Sequence, residues 1–418
     1  MSNIPNTRSH VAETLKSRHR SERYFRLLGL AATIFGLAFL SILFVSITMK
    51  GYSAFQKTSI LLNVSVEAGE ALPAINYQGL IKASLRQSFP EVKKRQAKRA
   101  LYGLVSSGAA YELRAKVIDN PTLIGTTVAI WVTASDDVDM VSKGVIPRGT
   151  TPAVRRLSDR QMGWLGVLEN EGRVKTGFNW TLFTAGDSRE PELAGVAVAM
   201  LGSFYSVLVC IVLSFPLGVM TAVYLEEFAP RNRWIEFVEI NINNLAAVPS
   251  IVFGLLGLAV FLNVFNLPRS SPLIGGMVLA LMTLPTIVIA SRAALKAVPP
   301  SVRDAALALG ASPVQAVLHH VLPLAMPGTL TGTVIGTARA LGETAPLLMI
   351  GMVAFIVDLP ETILSPATAL PVQVFLWADQ PERAFGERTA AAILILLVFI
   401  CSMNLLAVAL RRKFEIRW

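Results

Sequence analysis

Residues 298–328 read VPPSVRDAALALGASPVQAVLHHVLPLAMPG. Pro299 and Pro300 stop any helix arriving from upstream, because proline lacks an amide hydrogen and its ring clashes with the preceding turn. Ser301 is a candidate N-cap, and Val302 to Leu309, rich in alanine, reads as a short helix. Gly310 ends it. Ser312 caps a second short helix whose first turn tolerates Pro313, and Pro323 and Pro327 then redirect the chain. The stretch predicts a helix-turn-helix knob, and the fold depends on what carries it.

On both sides the chain is apolar. Of its 418 residues 53% are hydrophobic and 16% charged, with a mean hydropathy of +0.54; an ordinary soluble domain carries about 25% charged residues. A helix needs roughly 20 residues to cross about 30 Å of hydrocarbon. Charge-free runs of that length lie at 27–49, 194–225, 240–268, 270–291 and 389–410, and a sixth, from about 327 to 357, is charge-free except for Arg339 and Glu343. An all-α polytopic membrane protein with six transmembrane helices is expected, the knob lying between the fourth and fifth. Pro216, Pro249 and Pro285 fall inside runs, where proline either bends a helix or is simply tolerated, as it often is in membranes.

Basic residues orient the spans. Six precede the first run in RSHVAETLKSRHRSERYFR, Arg292, Lys296 and Arg303 adjoin the knob, and four lie in the final RRKFEIRW. Six spans put all three groups on one side, the cytoplasm, together with both termini. Asp358, Glu361, Asp379, Glu382 and Glu387 fall outside. The first run, at 23 residues, exceeds the roughly 7 to 15 of a secretory signal and reads as an uncleaved membrane anchor. The expected organisation is a basic cytoplasmic N-terminus (1–26), a first transmembrane helix (27–49), an extracytoplasmic domain (50–190) and a membrane core holding the remaining spans (191–418) with the knob at about 299–323.

Segment 50–190 holds 19 of the 38 Lys and Arg, yet long loops translocate largely regardless of charge. The net charge of +10 is thus no argument for a nucleic acid partner. EVKKRQAKRALYGLVSSGAAYELRAKVIDNP alternates as a helix does and stops at Asn120-Pro121, while TLIGTTVAIWVTA reads as strand. A small α+β domain is expected, an appendage dispensable for assembly of the core. ASDDVDM lacks the Gly and terminal Glu of a calcium loop and reads as a surface turn. Cys210 and Cys401 lie inside predicted spans and give no disulfide framework. His319 and His320, adjacent on a helix, point to different faces, so neither a metal nor another cofactor is expected.

In TARALGETAPLL, 337–348, a charge inside a membrane helix costs about 2.5–3.5 kcal/mol on insertion scales, so it usually faces a partner or a water-filled path. A helix starting near Pro327 puts Arg339 near mid-membrane and Glu343 one turn on, close enough to meet. Gly328, Gly332, Gly336 and Ala340 form a small-residue stripe for close helix packing, shared by Glu343. The pair either joins this helix to a neighbour or lines a substrate path in which Arg339 offers two hydrogen bonds to an oxyanion.

The knob resembles the EAA loop of ABC importer permeases, written E-A-A, three residues, G, nine residues, I-x-L-P. Asp304, Ala305, Ala306, Gly310, Leu322 and Pro323 fall on that register, with Asp304 in place of Glu and His320 where Ile or Val is usual. The resemblance implies a type I ABC importer permease fold and docking of this loop into a cleft of an ATP-hydrolysing subunit. No G-x-x-x-x-G-K-[ST] phosphate loop occurs in the sequence, so ATP hydrolysis is expected in a partner and not here. FYSVLVCIVLSFPLGVMTAVYLEEFAP, NNLAAVPSIVFGLLGLAVF and TARALGETAPLL look like the phosphate-specific permeases of the PstA family. FNWTLFTAGDSREPELAGV resembles the segment before the core in members with an enlarged external region. The implied partners are a PstC-like second permease, a PstB-like ATPase dimer, a PstS-like periplasmic phosphate-binding protein and membrane lipid. The family also links charged residues of this helix, here Arg339 and Glu343, to phosphate passage. The EAA loop itself leaves molybdate or sulfate open as cargo. A pure membrane sensor of phosphate status would need a cytoplasmic output domain, for which these loops are too short.

Overall fold

Residues 7–66 and 75–414 are described by a computed structural model. The first apolar run forms one helix, Thr7–Gly51, long and apolar enough to cross a membrane. Residues up to Lys50 constitute one unit and Gly51 onward a second.

The second unit opens with the α+β domain. Strand β1, Gln56–Ser65, buries Thr58, Ile60, Leu62 and Val64 and leaves the residues between them half-buried or exposed, since neighbouring side chains on a strand point to opposite faces. It is the centre of an antiparallel sheet, with β2, Thr127–Thr133, on one edge and β3, Val174–Phe178, on the other. Ile60 stands opposite Val132 and Val174. Helices Tyr77–Ser88, Ala109–Asp119 and Asp159–Asn170 contribute Leu85, Leu113, Val117, Leu165 and Leu168 to the same core. The strand expected in 122–134 is β2. The helical stretch before it is two helices, Arg95–Tyr102 and Ala109–Asp119.

ASDDVDM is not a surface turn. It enters a helix, Asp136–Ser142, and Asp139 is buried. Asp139 Oδ1 accepts from the Thr58 backbone N–H at 2.7 Å, and Oδ2 lies 2.5 Å from Lys143 Nζ. The partner amide belongs to β1, far away in sequence, which local charge counting does not see.

Beyond the domain, four helical segments are long and apolar enough to span: Ala197–Phe228, Pro272–Lys296, Pro313–Gly342 and Ala384–Lys413. With the first helix that makes five, or six if the bent pair Arg233–Ala246 and Ser250–Val264 is one span. The third predicted run is therefore not a straight helix: it bends by 100°. Pro249 does this, standing extended (φ −56°, ψ 137°) as the residue before Ser250. Pro216 and Pro285 lie inside unbroken helices. The apolar stretch to Val357 also departs from expectation, since its helix ends at Gly342 and is followed by the short helices Ala345–Met349 and Leu370–Ala378.

Pro272–Lys296 is the centre of the bundle. A Cβ on its Gly276 would meet Val209 of the second span. On its other side Ala290 and Ala294 lie against Gly332 and Gly328.

The domain is joined to the last span by charge. Lys143, its side chain wholly buried, lies 3.3 Å from Glu387, which also accepts from Ser53 Oγ at 2.5 Å. Ala384 is part of the domain's core. Arg383 Nη1 donates to the Val154 carbonyl at 2.7 Å, and Trp377 Nε1 to Asp187 at 2.9 Å.

Glu192, just ahead of the second span, is 2% exposed. Burial pushes its carboxyl from 4.5 up to about 7, opposed by a hydrogen bond from Ser106. The folded state then holds a proton that the unfolded chain has lost, so stability falls as pH rises from about 4.5 to 7. Asp137, raised by burial to about 6, acts in the same direction. Thermal unfolding in detergent should show a falling melting temperature across that window, and Glu192→Gln should flatten most of it. An unchanged slope in the variant would remove Glu192 as the cause.

Candidate functional site

The knob takes its shape from local chemistry. Helix Pro300–Ala308 follows Pro299 directly; no side chain caps it, and Ser301 lies inside its first turn instead of at the N-cap. Gly310 then has φ +88° with open space around it, a conformation that a residue with a Cβ adopts at a cost of about 1–2 kcal/mol. Ser312 and Gln315 form a capping box on helix Pro313–Ala316. Pro323 and Pro327 do not reset the chain: Pro313–Ala316 passes through a π-helical turn, Val317–Val321, into Leu322–Gly342.

Ala306 is buried against the knob's interior, whereas Asp304 and Ala305 are exposed. Leu309 at the tip is 89% exposed, with Leu307, Val314 and Leu318 also open. An apolar tip of this kind, on a turn set by one glycine, is a surface suited to a protein cleft.

The knob is tied to the spans through Arg303, counted above only for orientation, and Glu227, which the sequence did not single out. Arg303 grips Glu227 with both Nε (3.0 Å) and Nη2 (2.5 Å), and Nη1 and Nη2 donate to the carbonyls of Val298 and Leu295. Glu227 holds the Arg303 guanidinium firmly in its charged form. The available signal was YLEEF, two carboxylates ending one apolar run while the loop at 292–303 is basic.

At the other end of the segment Pro313–Gly342, Arg339 lies in the helix's last turn and Glu343 just past its end, in extended conformation. Neither is mid-helix, and Glu343 does not continue the glycine stripe. A cation in a helix's last turn is favoured by the helix dipole. Arg339 Nε is 3.5 Å from Glu343 Oε1, their side chains 56% and 21% exposed. Among the described residues neither has another ion-pair partner. Gly332 and Gly336 are buried and Gly328 is exposed, but all three face the helix Pro272–Lys296, where a Cβ would be 2.6 Å from Ala294 at Gly328 and 2.7 Å from Thr283 at Gly336. Arg339 shares the outward side with Ile335, 62% exposed. The knob and the pair are thus not in contact, but one helix, Pro313–Gly342, links them. The 26 steps along the chain from Pro313 to Arg339 span about 39 Å at 1.5 Å per residue.

A family profile described as binding-protein-dependent transport system inner membrane component matches residues 214–416. Fold and match together define a multi-pass inner-membrane transport subunit, the membrane component of an ATP-driven importer. Residues 12–151 match a domain of unknown function, DUF3333. The chain is 31% identical over 249 residues to phosphate transport system permease protein PstA 1 of Mycobacterium tuberculosis, covering 60% of this chain and 79% of that protein. It is 33% identical over 216 residues to the phosphate transport system permease protein PstA of Yersinia pestis, covering 51% and 71%. An inward-facing form of the MetNI methionine ABC transporter aligns with a TM-score of 0.41 at 18% identity, over 53% of this chain and 95% of that one. The chain belongs to the PstA family of transport permeases.

Proposed function

We propose that this chain forms half of the membrane pathway of an inorganic phosphate importer and passes the work of a separate ATPase to it. The carrying observation is the single helix that joins the exposed knob to the partly exposed Arg339–Glu343 pair. In this reading the bent third segment counts as a span, giving six, and both termini and the knob face the cytoplasm. The domain at 50–190 lies outside. A PstB-like ATPase dimer receives the knob, with Asp304, Ala305, Ala306 and Gly310 at the contact. A PstC-like permease faces Arg339, and a PstS-like protein delivers phosphate.

The chemistry follows from the residues. Arg339 presents a planar fork that matches two phosphate oxygens. Glu343 orients the fork and competes for it, so that phosphate is bound and released. When the ATPase moves the knob, Arg303 and Glu227 carry the motion to the second and fourth spans, and Pro313–Gly342 carries it to Arg339.

Uptake of labelled phosphate by cells or vesicles holding the complete complex tests the reading. Excess sulfate or molybdate should leave uptake unchanged; competition by either as strong as by phosphate would change the cargo. Coupling has its own test. Gly310→Trp forces a Cβ onto φ +88° and puts bulk at the tip, so it should insert and assemble normally yet lose most uptake. Full uptake with the ATPase bound would end the docking role of the knob.

A further inference from the structure

A basic cavity of about 610 Å³ opens where the second and fourth spans end. Its wall includes Arg231 and Arg233 from the turn after the second span, Arg292 and Lys296 from the end of the fourth, and the carboxylates Glu226, Glu236 and Glu239. Four cations face three anions. Glu226 and Glu239 are already engaged: Arg292 Nη2 is 2.7 Å from Glu239, and Arg292 Nε and Lys296 Nζ are each 3.5 Å from Glu226. Arg231 and Arg233 are exposed and have no acidic partner among the described residues. Glu236, one turn along the helix from Arg233, is the remaining carboxylate on the wall.

The cavity's position narrows the ligand. Both spans end beside it, so it lies at the level of the membrane surface. Helix Arg233–Ala246 runs from its rim with no buried residue, and its Trp234, Phe237 and Val238 are exposed, Trp234 by 78%. Cations at a span's end beside an open Trp and Phe match a ligand with an anionic head and apolar chains. Tryptophan favours the depth of lipid headgroups, and basic pockets between membrane helices take anionic heads.

We propose that this cavity binds a phosphate group carried by an anionic phospholipid, held by Arg231 and Arg233 with Lys296 at its edge, the acyl chains lying along Trp234 and Phe237. The site touches the knob's anchorage: Glu226 in its wall is adjacent to Glu227, which Arg303 grips. Lipid composition therefore acts on the same junction that positions the knob. The inference concerns binding alone and does not depend on which cargo the transporter carries.

The full chain is placed in nanodiscs of zwitterionic phosphatidylcholine containing a minority of brominated lipid, either phosphatidylglycerol or phosphatidylcholine. Trp234 fluorescence is taken as the difference from Trp234→Phe. Brominated phosphatidylglycerol should quench Trp234 more strongly than brominated phosphatidylcholine at equal content. Arg231→Gln with Arg233→Gln, both exposed positions, should erase the preference; each basic side chain near the surface strengthens anionic-lipid attraction about fivefold, so losing the pair weakens it roughly twenty-five-fold. Equal quenching by the two lipids in the unaltered chain, or a preference that survives the double substitution, would overturn the proposal. Inorganic phosphate should not displace the lipid. If it abolishes the preference at unchanged ionic strength, the cavity is a site for free phosphate and the lipid assignment is wrong.

Discussion

Arg339→Ala should abolish phosphate uptake in a complex that still assembles. Arg339 is half exposed on the outward side of the fifth span, and its one ion-pair partner among the described residues is Glu343 at 3.5 Å. Among the described residues no neighbouring helix depends on it for a counter-charge, so the truncation should not disturb the fold. On the proposed function, what it removes is a two-pronged contact to the cargo. Two hydrogen bonds to a charged group, each worth about 1.5–3 kcal/mol, correspond to a loss of at least roughly a hundredfold. Glu343→Gln should also abolish uptake, by leaving the guanidinium without its competitor. Arg339→Lys keeps the charge without the fork and should fall between. Labelled phosphate uptake and co-purification of the other subunits are the two readouts. Normal uptake in Arg339→Ala rejects the pathway role, whereas loss of assembly in both truncations makes the pair an intersubunit contact instead.

The second large effect is expected at Lys143→Met. The substitution leaves Asp139 and Glu387, both with side chains 5% exposed, facing each other without the cation between them. Breaking a buried ion pair from one side costs about 3–5 kcal/mol. Thermal unfolding in detergent should show a marked loss of stability. Adding Glu387→Gln should restore part of it by removing one of the stranded charges, an interaction that two distant independent sites would not show. If the double variant is no more stable than the single one, the charges are not coupled as the geometry requires. The same contact argues against treating the domain as a dispensable appendage. Deleting residues 60–175 would take away Asp139 and Lys143 and leave the last span's first turn with Glu387 and the buried Arg388.

The knob was legible because its signals act on their own neighbours: Pro299 ends one helix, Gly310 turns the chain, Ser312 starts the next. Ser301 was misjudged as a cap because the two prolines before it already fix the backbone at a helix start. The bend in the third segment was visible only as an option. Proline alone does not decide the outcome, since Pro216 and Pro285 sit in continuous helices while Pro249 breaks one. The end of the fifth span at Gly342 was missed because nothing in ALGETAPLL apart from Gly342 and Pro346 interrupts an apolar helical pattern. Pro346 was the available hint, disfavouring helix in the residue before it. Arg303 with Glu227 and Lys143 with Glu387 could not be read from spacing, being 76 and 244 residues apart. The charge signs at span ends suggested the first pair; nothing local suggested the second.

That separation of 244 residues also fixes an order of events during synthesis. A chain made from its N-terminus has every residue of the domain's core except Ala384, Lys143 included, long before the ribosome reaches Glu387. The last span therefore emerges into a cell where its counter-ion already exists, on a folded surface at the membrane's edge. Its first turn carries Glu387 and Arg388, a poor beginning for a segment that has to enter lipid unaided. The domain can act as the berth at which this final helix is received, and biogenesis of the permease becomes sequential, each half finished by the one made before it.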